Sequence, residues 1–534
     1  MTITATRPAI GPAHLPRPSA GLVRWWLMCS AIAVALRLPF LDVPLGIDEG
    51  GDAFVARAWG ATEGSIYGGS WLDRPPLLVL AYRVGVLGGD IGIRVLGGVA
   101  AILLIGGTML IAHRIAGPAA ARLTGLISAV MVSSVVLGAV FTGNELLASV
   151  PMTYSVVALV HATGARHPER WLAASGFLAG CAVLVKQSFG DVIVAGAAFL
   201  LVAWLTRERS GFRLGWAAGW LTGLAVPLVA TLGWVAVYSV GVKSFLYAIL
   251  GFRVDSLGLL EKSDEGAMYM LVHLGLPIAV VSGLLLLLPW AVAWLYEHRT
   301  DAQLVVPLAV WLVLGFVGIV GGGKYFPHYF IQPLPALAVL AGCALAVTGR
   351  RTLFAATAVA LAILAIANVA VGTALKSAAP PQERTLAVAD YLRDNSRPDD
   401  RLYVMYARAN LLYYADVPTS SPYAWSTMMQ AMPRAEQQLR DQLRSDAARP
   451  TWVVTWQQPT AFGLDRSGET RSLLKRYYVR AATICGKSVL IRKDDAARRL
   501  VAPRPVDCPA LDLPRNLGPN ASRSPADGAE YIWQ

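Results

Sequence analysis

Apolar runs of roughly 20 residues, the length that carries a helix across a bilayer, recur along most of this chain. They fall at about 21–41, 92–112, 119–140, 146–163, 171–186, 188–205, 214–238, 268–296, 303–320, 328–348 and 352–374. A hydrophobic content of 55% and a mean hydropathy of +0.51 agree with that reading. The expected fold is therefore a multi-pass α-helical membrane protein with about eleven transmembrane helices.

The formal charge of +12 raises the question of nucleic acid as a partner, but the distribution of charge argues against one. With residues 1–20 as a cytoplasmic tail, the inner turns carry Arg24, Arg114, Arg122, Arg166, Arg170, Arg207, Arg213 and Arg299. The opposite connections hold most of the acids, among them Asp42, Asp48, Glu49, Asp52, Asp73, Asp90 and Glu145. This is the positive-inside pattern. It puts the first long loop, 42–91, outside the membrane and, by odd parity, the C-terminal region outside as well. The first apolar run has no small-residue cleavage site behind it, so it is expected to remain as a helix.

Loop 42–91 is too long for a turn, and such loops usually carry function. Its segments 50–62 and 77–88 are short and amphipathic or apolar, and are expected to lie along the membrane interface. Near Ala378 the long apolar runs end. Residues 377–500 are expected to form a small α/β domain, with helices at 383–395 and 435–447 and strands at 401–407, 451–456, 478–484 and 487–493. From about 501 to 534, Pro, Asp, Asn, Arg and Ser dominate, and a poorly ordered tail is expected. Cys29, Cys181 and Cys343 lie in apolar runs as small packed hydrophobes. Cys485 and Cys508 lie in the outside domain, where pairing is chemically open to them.

Charge in the first loop comes in two clusters. In Asp48-Glu49, one acid can act as a base while its neighbour holds a metal or a substrate hydroxyl; two solvated acids are the plainer alternative. In Asp73-Arg74-Pro75-Pro76, the prolines fix the backbone and Arg74 can meet a phosphate or simply pair with Asp73. Lys186 and Lys324 stand at outer helix ends, the latter beside Tyr325 and His328. A point charge there suits a phosphate headgroup, and snorkelling accounts for either lysine equally well. Glu145 opens the fourth run as a metal or substrate ligand, or as an acid favoured by the helix dipole. There is no HExxH, CxxC, Walker loop or GxGxxG in a strand-to-helix setting, so no nucleotide cofactor is expected.

The sequences DEGGD after the first run, LDRPPL later in that loop, TGNELL before the fourth, VKQS after the fifth and GGGKYFPHYFIQPLP at the tenth, with a trailing α/β domain, form a set. This set resembles the polyprenyl-phosphate-sugar glycosyltransferases of the membrane-embedded GT-C class, near the protein O-mannosyltransferase and lipid A aminoarabinose transferase group. The resemblance covers roughly residues 20–495. It implies a GT-C transmembrane domain over 21–376 and an enzyme of the plasma membrane whose active site and α/β domain are extracytoplasmic. The donor would be a polyprenyl-phosphate-linked sugar and the acceptor a lipid, glycan or protein. Asp48 falls at the family's catalytic acid, as base or as ligand of a divalent cation such as Mg, Mn or Zn, with Glu49 beside it. Asp73, Arg74, Lys186, Lys324, Tyr325 and His328 fall to substrate and phosphate binding, and Glu145 to a second metal contact. Two positions depart from the pattern: Arg74 stands where lysine is common, and Asn144-Glu145 where an aspartate is common. Single displacement would invert the anomeric centre. A transporter, a flippase and a lipid-linked glycan ligase are the competing classes, and the absence of internal repeats weighs against a transporter.

The topology is open to direct test. A cysteine replacing Ser65, with the native cysteines removed, should react with a membrane-impermeant maleimide in intact cells. Labelling only after permeabilisation would place the first loop inside and overturn the orientation.

Overall fold

The computed structural model describes residues 20–60, 66–261, 267–321, 325–347, 351–378, 382–406, 408–506 and 508. The expected tail 1–20, apart from Ala20, lies outside the described residues, as does the C-terminal stretch beyond Cys508. The chain divides into two compact units. A helical unit comprises Met1–Pro39, Gly97–Thr231 and Met268–Val369, and a composite unit comprises Phe40–Leu96, Leu232–Ala267 and Ala370–Gln534.

Among the described residues, six helical stretches are long and apolar enough to cross a membrane: Ala20–Phe40, Pro76–Met131, Asn144–Ala162, Leu214–Tyr238, Ala302–Gly321 and Ala355–Ser377. Leu271–Val281 and Leu284–Glu297 make a seventh if counted together, bent by 78°. Asp191–Leu205 and Leu334–Val347 are shorter apolar helices. Ten of the eleven apolar runs map onto these full-length, shortened and bent helices, and the remaining run, 171–186, is the helix Pro168–Val185.

Local chemistry explains the differences. The runs expected at 92–112 and 119–140 join in one stretch, Gly89–Met131, interrupted where Gly117 takes φ 83° ahead of Pro118. Glycine tolerates that backbone, and proline cannot continue the preceding hydrogen-bond ladder. The second part stops at Met131, short of residue 140, because residues 132–143 leave the helical path in a series of turns. The buried Arg37 guanidinium meets those turns, donating to the carbonyls of Val132 (2.8 Å) and Ala139. Ser134 also donates to Asn368 (3.1 Å). Backbone groups freed in an apolar setting need such partners.

The composite unit carries a four-stranded sheet of β1 (Leu402–Val404), β2 (Trp452–Thr455), β3 (Tyr478–Ile484) and β4 (Lys487–Arg492). Its order is β1-β2-β4-β3; β1 runs parallel to β2, and the other pairs are antiparallel. Tyr403 and Val453 from the sheet pack with Leu439, Leu443, Leu473 and Leu474 from two amphipathic helices, Ala435–Arg444 and Glu469–Tyr477. The helix Glu383–Asn395 and strand β3 fall where the sequence placed them. Helices Ala409–Ala415 and Ser426–Ala431 were not foreseen. Both are too short for a full apolar period to show in the sequence.

The first-loop segments are the helices Ile47–Ala58 and Pro76–Gly85. Segment 50–62, expected along the membrane interface, falls largely on the helix Ile47–Ala58, whose residues from Glu49 to Ala56 are buried and which packs on Ala409–Ala415. Cys485 and Cys508 are joined in a disulfide. Residues 501–506, at the start of the expected loose tail, are held to the helix Glu383–Asn395, where Arg504 pairs with Asp394 at 2.9 Å and the Val501 N–H donates to Asn395 at 2.6 Å.

Asp400, before β1, ties this region together. It accepts from Arg498 (2.9 and 2.7 Å), the Arg397 N–H (2.9 Å) and the Trp452 indole (3.1 Å). Burial opposes its ionised form, but these donors outweigh it and hold the carboxyl below its usual value. The stability it contributes is therefore complete above pH ~4, the ordinary carboxylate value, and is lost as pH falls through the lower folded value. Arg498→Met should remove about 2 kcal/mol at neutral pH. That gap to the unmodified protein should close on acidification, as followed by thermal unfolding of the detergent-solubilised chain.

Candidate active site

Within the composite unit, Gly46 is the extended residue before the helix Ile47–Ala58, whose first turn holds Asp48 and Glu49. Acids at that end are favoured by the helix dipole. The two then diverge. Glu49 is buried: its Oε2 accepts the Gly46 N–H at 3.2 Å, and its Oε1 meets Arg94. The side chains of this ion pair are only 2% and 7% exposed, with Arg94 the more buried. Arg94 also donates to the carbonyls of Val43 (2.9 Å) and Pro44 (3.3 Å). Glu49, a catalytic candidate on sequence, therefore has both carboxylate oxygens engaged in shaping the loop. Asp48 remains half-exposed. Its Oδ1 accepts a hydrogen bond from the Trp425 indole at 3.0 Å.

The two glycines of DEGGD make this arrangement possible. A Cβ at Gly50 would stand 2.4 Å from the Cβ of Asn410, and one at Gly51 would stand 2.3 Å from Cζ2 of Trp425. Only a bare backbone face admits the Ala409–Ala415 helix and the Trp425 ring so closely. Asn410 Nδ2 donates to the Leu45 carbonyl (3.1 Å) and to Gln382 (2.9 Å).

The second cluster is built in the same unit. Pro75 is extended, at φ −66° and ψ 156°, and Pro76 opens the helix Pro76–Gly85. The Tyr67 hydroxyl donates to the Arg74 carbonyl at 2.9 Å. Asp73 receives two guanidinium groups on Oδ2, from Arg74 at 2.7 Å and Arg253 at 2.6 Å. Burial works against the Arg74 charge, yet Asp73, Asp52 and Asp48 outweigh it and keep the guanidinium firmly protonated. Burial, aided by Asp73, pushes the Tyr67 hydroxyl well above its usual value, so it remains a proton donor. Trp71 packs edge-on against Phe252 (4.8 Å) and Tyr423 (6.2 Å), and its N–H donates to Pro422 at 3.0 Å. These contacts bind the first loop to residues 252–253 and 422–425.

The helical unit holds a separate constellation. Glu145, in the first turn of Asn144–Ala162, is paired with Lys186 and lies 3.6 Å from His328 Nε2. The Lys186 ammonium also sits 4.7 Å from the Tyr329 ring centroid, a cation–π contact. His328 crosses Tyr329 edge-on at 4.9 Å. Tyr325 is buried at φ 49°, close to Gly275. Lys324 lies outside the described residues.

Neither unit by itself presents the donor set that a divalent cation needs. Glu49 is bound to Arg94 and Asp73 to two arginines, while Glu145 is neutralised by Lys186 and faces His328. Among the described residues, no group of three or more His, Cys, Asp or Glu side chains stands close enough to hold a metal. The expected Asp48 and Glu145 contacts belong to different units.

Sequence reasoning did not single out Arg94, Arg253 or Trp425. Arg94 had a signal, being a lone charge near the start of an apolar run, where a charge persists mainly if paired. Arg253 and Trp425 had none, because their partners are 180 and 377 positions away in sequence.

Residues 74–234 match the family model described as dolichyl-phosphate-mannose-protein mannosyltransferase. Among solved structures, ArnT from Cupriavidus metallidurans bound to undecaprenyl phosphate aligns over 88% of this chain and 98% of its own, with a TM-score of 0.57 at 18% identity. The chain has the GT-C fold. The Archaeoglobus fulgidus oligosaccharyltransferase, in its complex with Zn and sulfate, shares this GT-C architecture over 86% of this chain and 72% of its own, with a TM-score of 0.56 at 13% identity. The archaeal oligosaccharyltransferase AglB from Archaeoglobus fulgidus, with an inhibitory peptide and a dolichol-phosphate, covers 90% and 75%, with a TM-score of 0.54 at 13% identity. No curated protein matches the chain.

The contrast between the two neighbouring acids is measurable. Glu49→Gln leaves Arg94 as a buried, uncompensated charge and should cost about 3 kcal/mol of stability. Asp48→Asn should change stability by no more than about 0.5 kcal/mol, a typical surface value. Thermal unfolding of both variants in detergent checks the difference.

Proposed function

We propose that this GT-C protein is a membrane glycosyltransferase. It moves a sugar from a polyprenyl-phosphate donor to a lipid, glycan or protein acceptor at the outer face of the cytoplasmic membrane. The observation that carries this reading is the separation of roles in the first loop: Glu49 and Asp73 are neutralised by arginines, whereas the half-exposed Asp48 is held by a neutral indole. A reachable, oriented carboxylate is what general-base chemistry requires. The fold and the family match over residues 74–234 support the same reaction class. ArnT and AglB with bound polyprenyl phosphates support the donor class.

In the proposed reaction, the acceptor oxygen attacks the anomeric carbon, and the bond from that carbon to the phosphate oxygen breaks. Asp48 takes the acceptor proton, and polyprenyl phosphate departs with the bonding pair. The leaving phosphate gains negative charge as the bond lengthens, and preorganised cations stabilise such charge most effectively. Arg74 and Arg253, both held on Asp73 Oδ2, are the cations that this unit offers for that role. On the helical unit Lys186 is a further cation, paired with Glu145 beside His328. A single displacement inverts the configuration at the anomeric carbon. In this proposal Asp48 acts as the base, reachable and oriented by the neutral Trp425 indole.

Two measurements test the reading. Asp48→Asn in reconstituted vesicles carrying the donor lipid should reduce transfer by at least about 1,000-fold, within the range general-base removal produces, with expression unchanged. NMR of the product should show inverted anomeric configuration. Full transfer by the Asn variant would remove Asp48 from the chemistry, and retained configuration would remove the single-displacement mechanism.

A further inference from the structure

Side chains meet the first-loop carboxylates in two ways: Asp48 and Asp90 accept from neutral donors, the Trp425 indole and the Tyr414 hydroxyl, whereas Glu49, Asp73 and Asp42 are ion-paired. Glu49 faces Arg94, Asp73 faces Arg74 and Arg253, and Asp42 faces Lys376. Each of those partners brings a positive charge that cancels the acid. The indole N–H of Trp425 is a neutral donor with no acceptor function. It fixes the direction of the Asp48 carboxylate through Oδ1 without itself bringing a charge to it.

A second observation, independent of the hydrogen bond, shows that space is kept for this ring. The Trp425 six-membered ring lies over Gly51, where a Cβ would meet Cζ2 at 2.3 Å and Cη2 at 2.9 Å. Any larger residue at position 51 would displace the indole. The ring is also anchored from its own side. Trp425 is the extended residue before the helix Ser426–Ala431, at φ −115° and ψ 148°, and Met428 and Met429 of that helix are buried. Tyr423, two residues earlier, packs on Trp71 in the loop beside Asp73.

We infer that Trp425 is a positioning residue for Asp48: its indole N–H holds one carboxylate oxygen so that the other is presented to the acceptor hydroxyl. This rests on the proposed role of Asp48 as base. The C-terminal α/β domain thereby contributes directly to the catalytic step. The arrangement separates orientation from neutralisation. A guanidinium in the same place would orient the carboxylate but weaken it as a proton acceptor, because an ion pair favours the charged form.

The test compares Trp425→Phe with Trp425→His in the full-length protein in donor-loaded vesicles at pH 8, where a histidine of ordinary pKa is mostly neutral. Both variants shorten the ring to a similar extent, but only histidine retains an N–H. The Phe variant should lose about tenfold in kcat with donor KM unchanged, and its solvent deuterium isotope effect should rise as proton transfer becomes slower. The His variant should recover at least about threefold of that loss. Equal kcat for the two variants, or a loss matched by a rise in donor KM, would overturn the positioning role. Asp48→Asn separates this from the underlying reading. If that variant is inactive while Trp425→Phe transfers at the full rate, only the positioning role falls; if Asp48→Asn is itself active, the base assignment falls first.

Discussion

The buried pair between Glu49 and Arg94 fixes the entrance of the first-loop helix. Removing two charges from water is costly, and the pair is tolerable because its remaining donors and acceptors are also satisfied. Arg94 closes on the carbonyls of Val43 and Pro44, and Glu49 on the Gly46 amide. The backbone from 43 to 49 is thereby locked to a helix that continues into an apolar run. Asp48, one residue from this lock, inherits a fixed position without being consumed by it.

The second constraint is closeness. Gly50 and Gly51 lower one face of the helix until Asn410 and the Trp425 ring can touch its backbone. Three stretches of chain separated by hundreds of residues, 40–96, 232–267 and 370 onward, thus make one compact unit. The acid, its indole partner and the two-arginine clasp on Asp73 all belong to it. A division of the molecule near residue 377, where the long apolar runs end, follows the sequence but cuts across this unit, because residues of loop 42–91 pack with residues 370 onward.

Much of the fold was legible from local pattern. The helix Glu383–Asn395 was readable from its apolar face, and strand β3 from its β-branched and aromatic residues, although a register shift between Arg480 and Ala482 breaks its alternation. The apolar runs marked the membrane helices, yet the stop at Met131 was not readable, since it depends on Arg37 reaching carbonyls about a hundred residues away. The short helices Ala409–Ala415 and Ser426–Ala431 owe their existence to what they pack against, and propensity alone does not predict such pieces. At the site, the motif DEGGD pointed to Asp48 and Glu49 together, and nothing in adjacent carboxylates tells which one will find an arginine.

By itself, the sequence determined that the chain crosses a membrane many times and that a small α/β domain follows the apolar runs. These are properties of composition and period, which act locally and add along the chain. Only the tertiary structure decided that Glu49 is architectural and Asp48 available, that Asp73 is clasped by Arg253, and that Glu145 is held by Lys186. Each of those outcomes depends on a partner distant in sequence, and whether a carboxylate is cancelled, oriented or left free is set by the few ångströms around it.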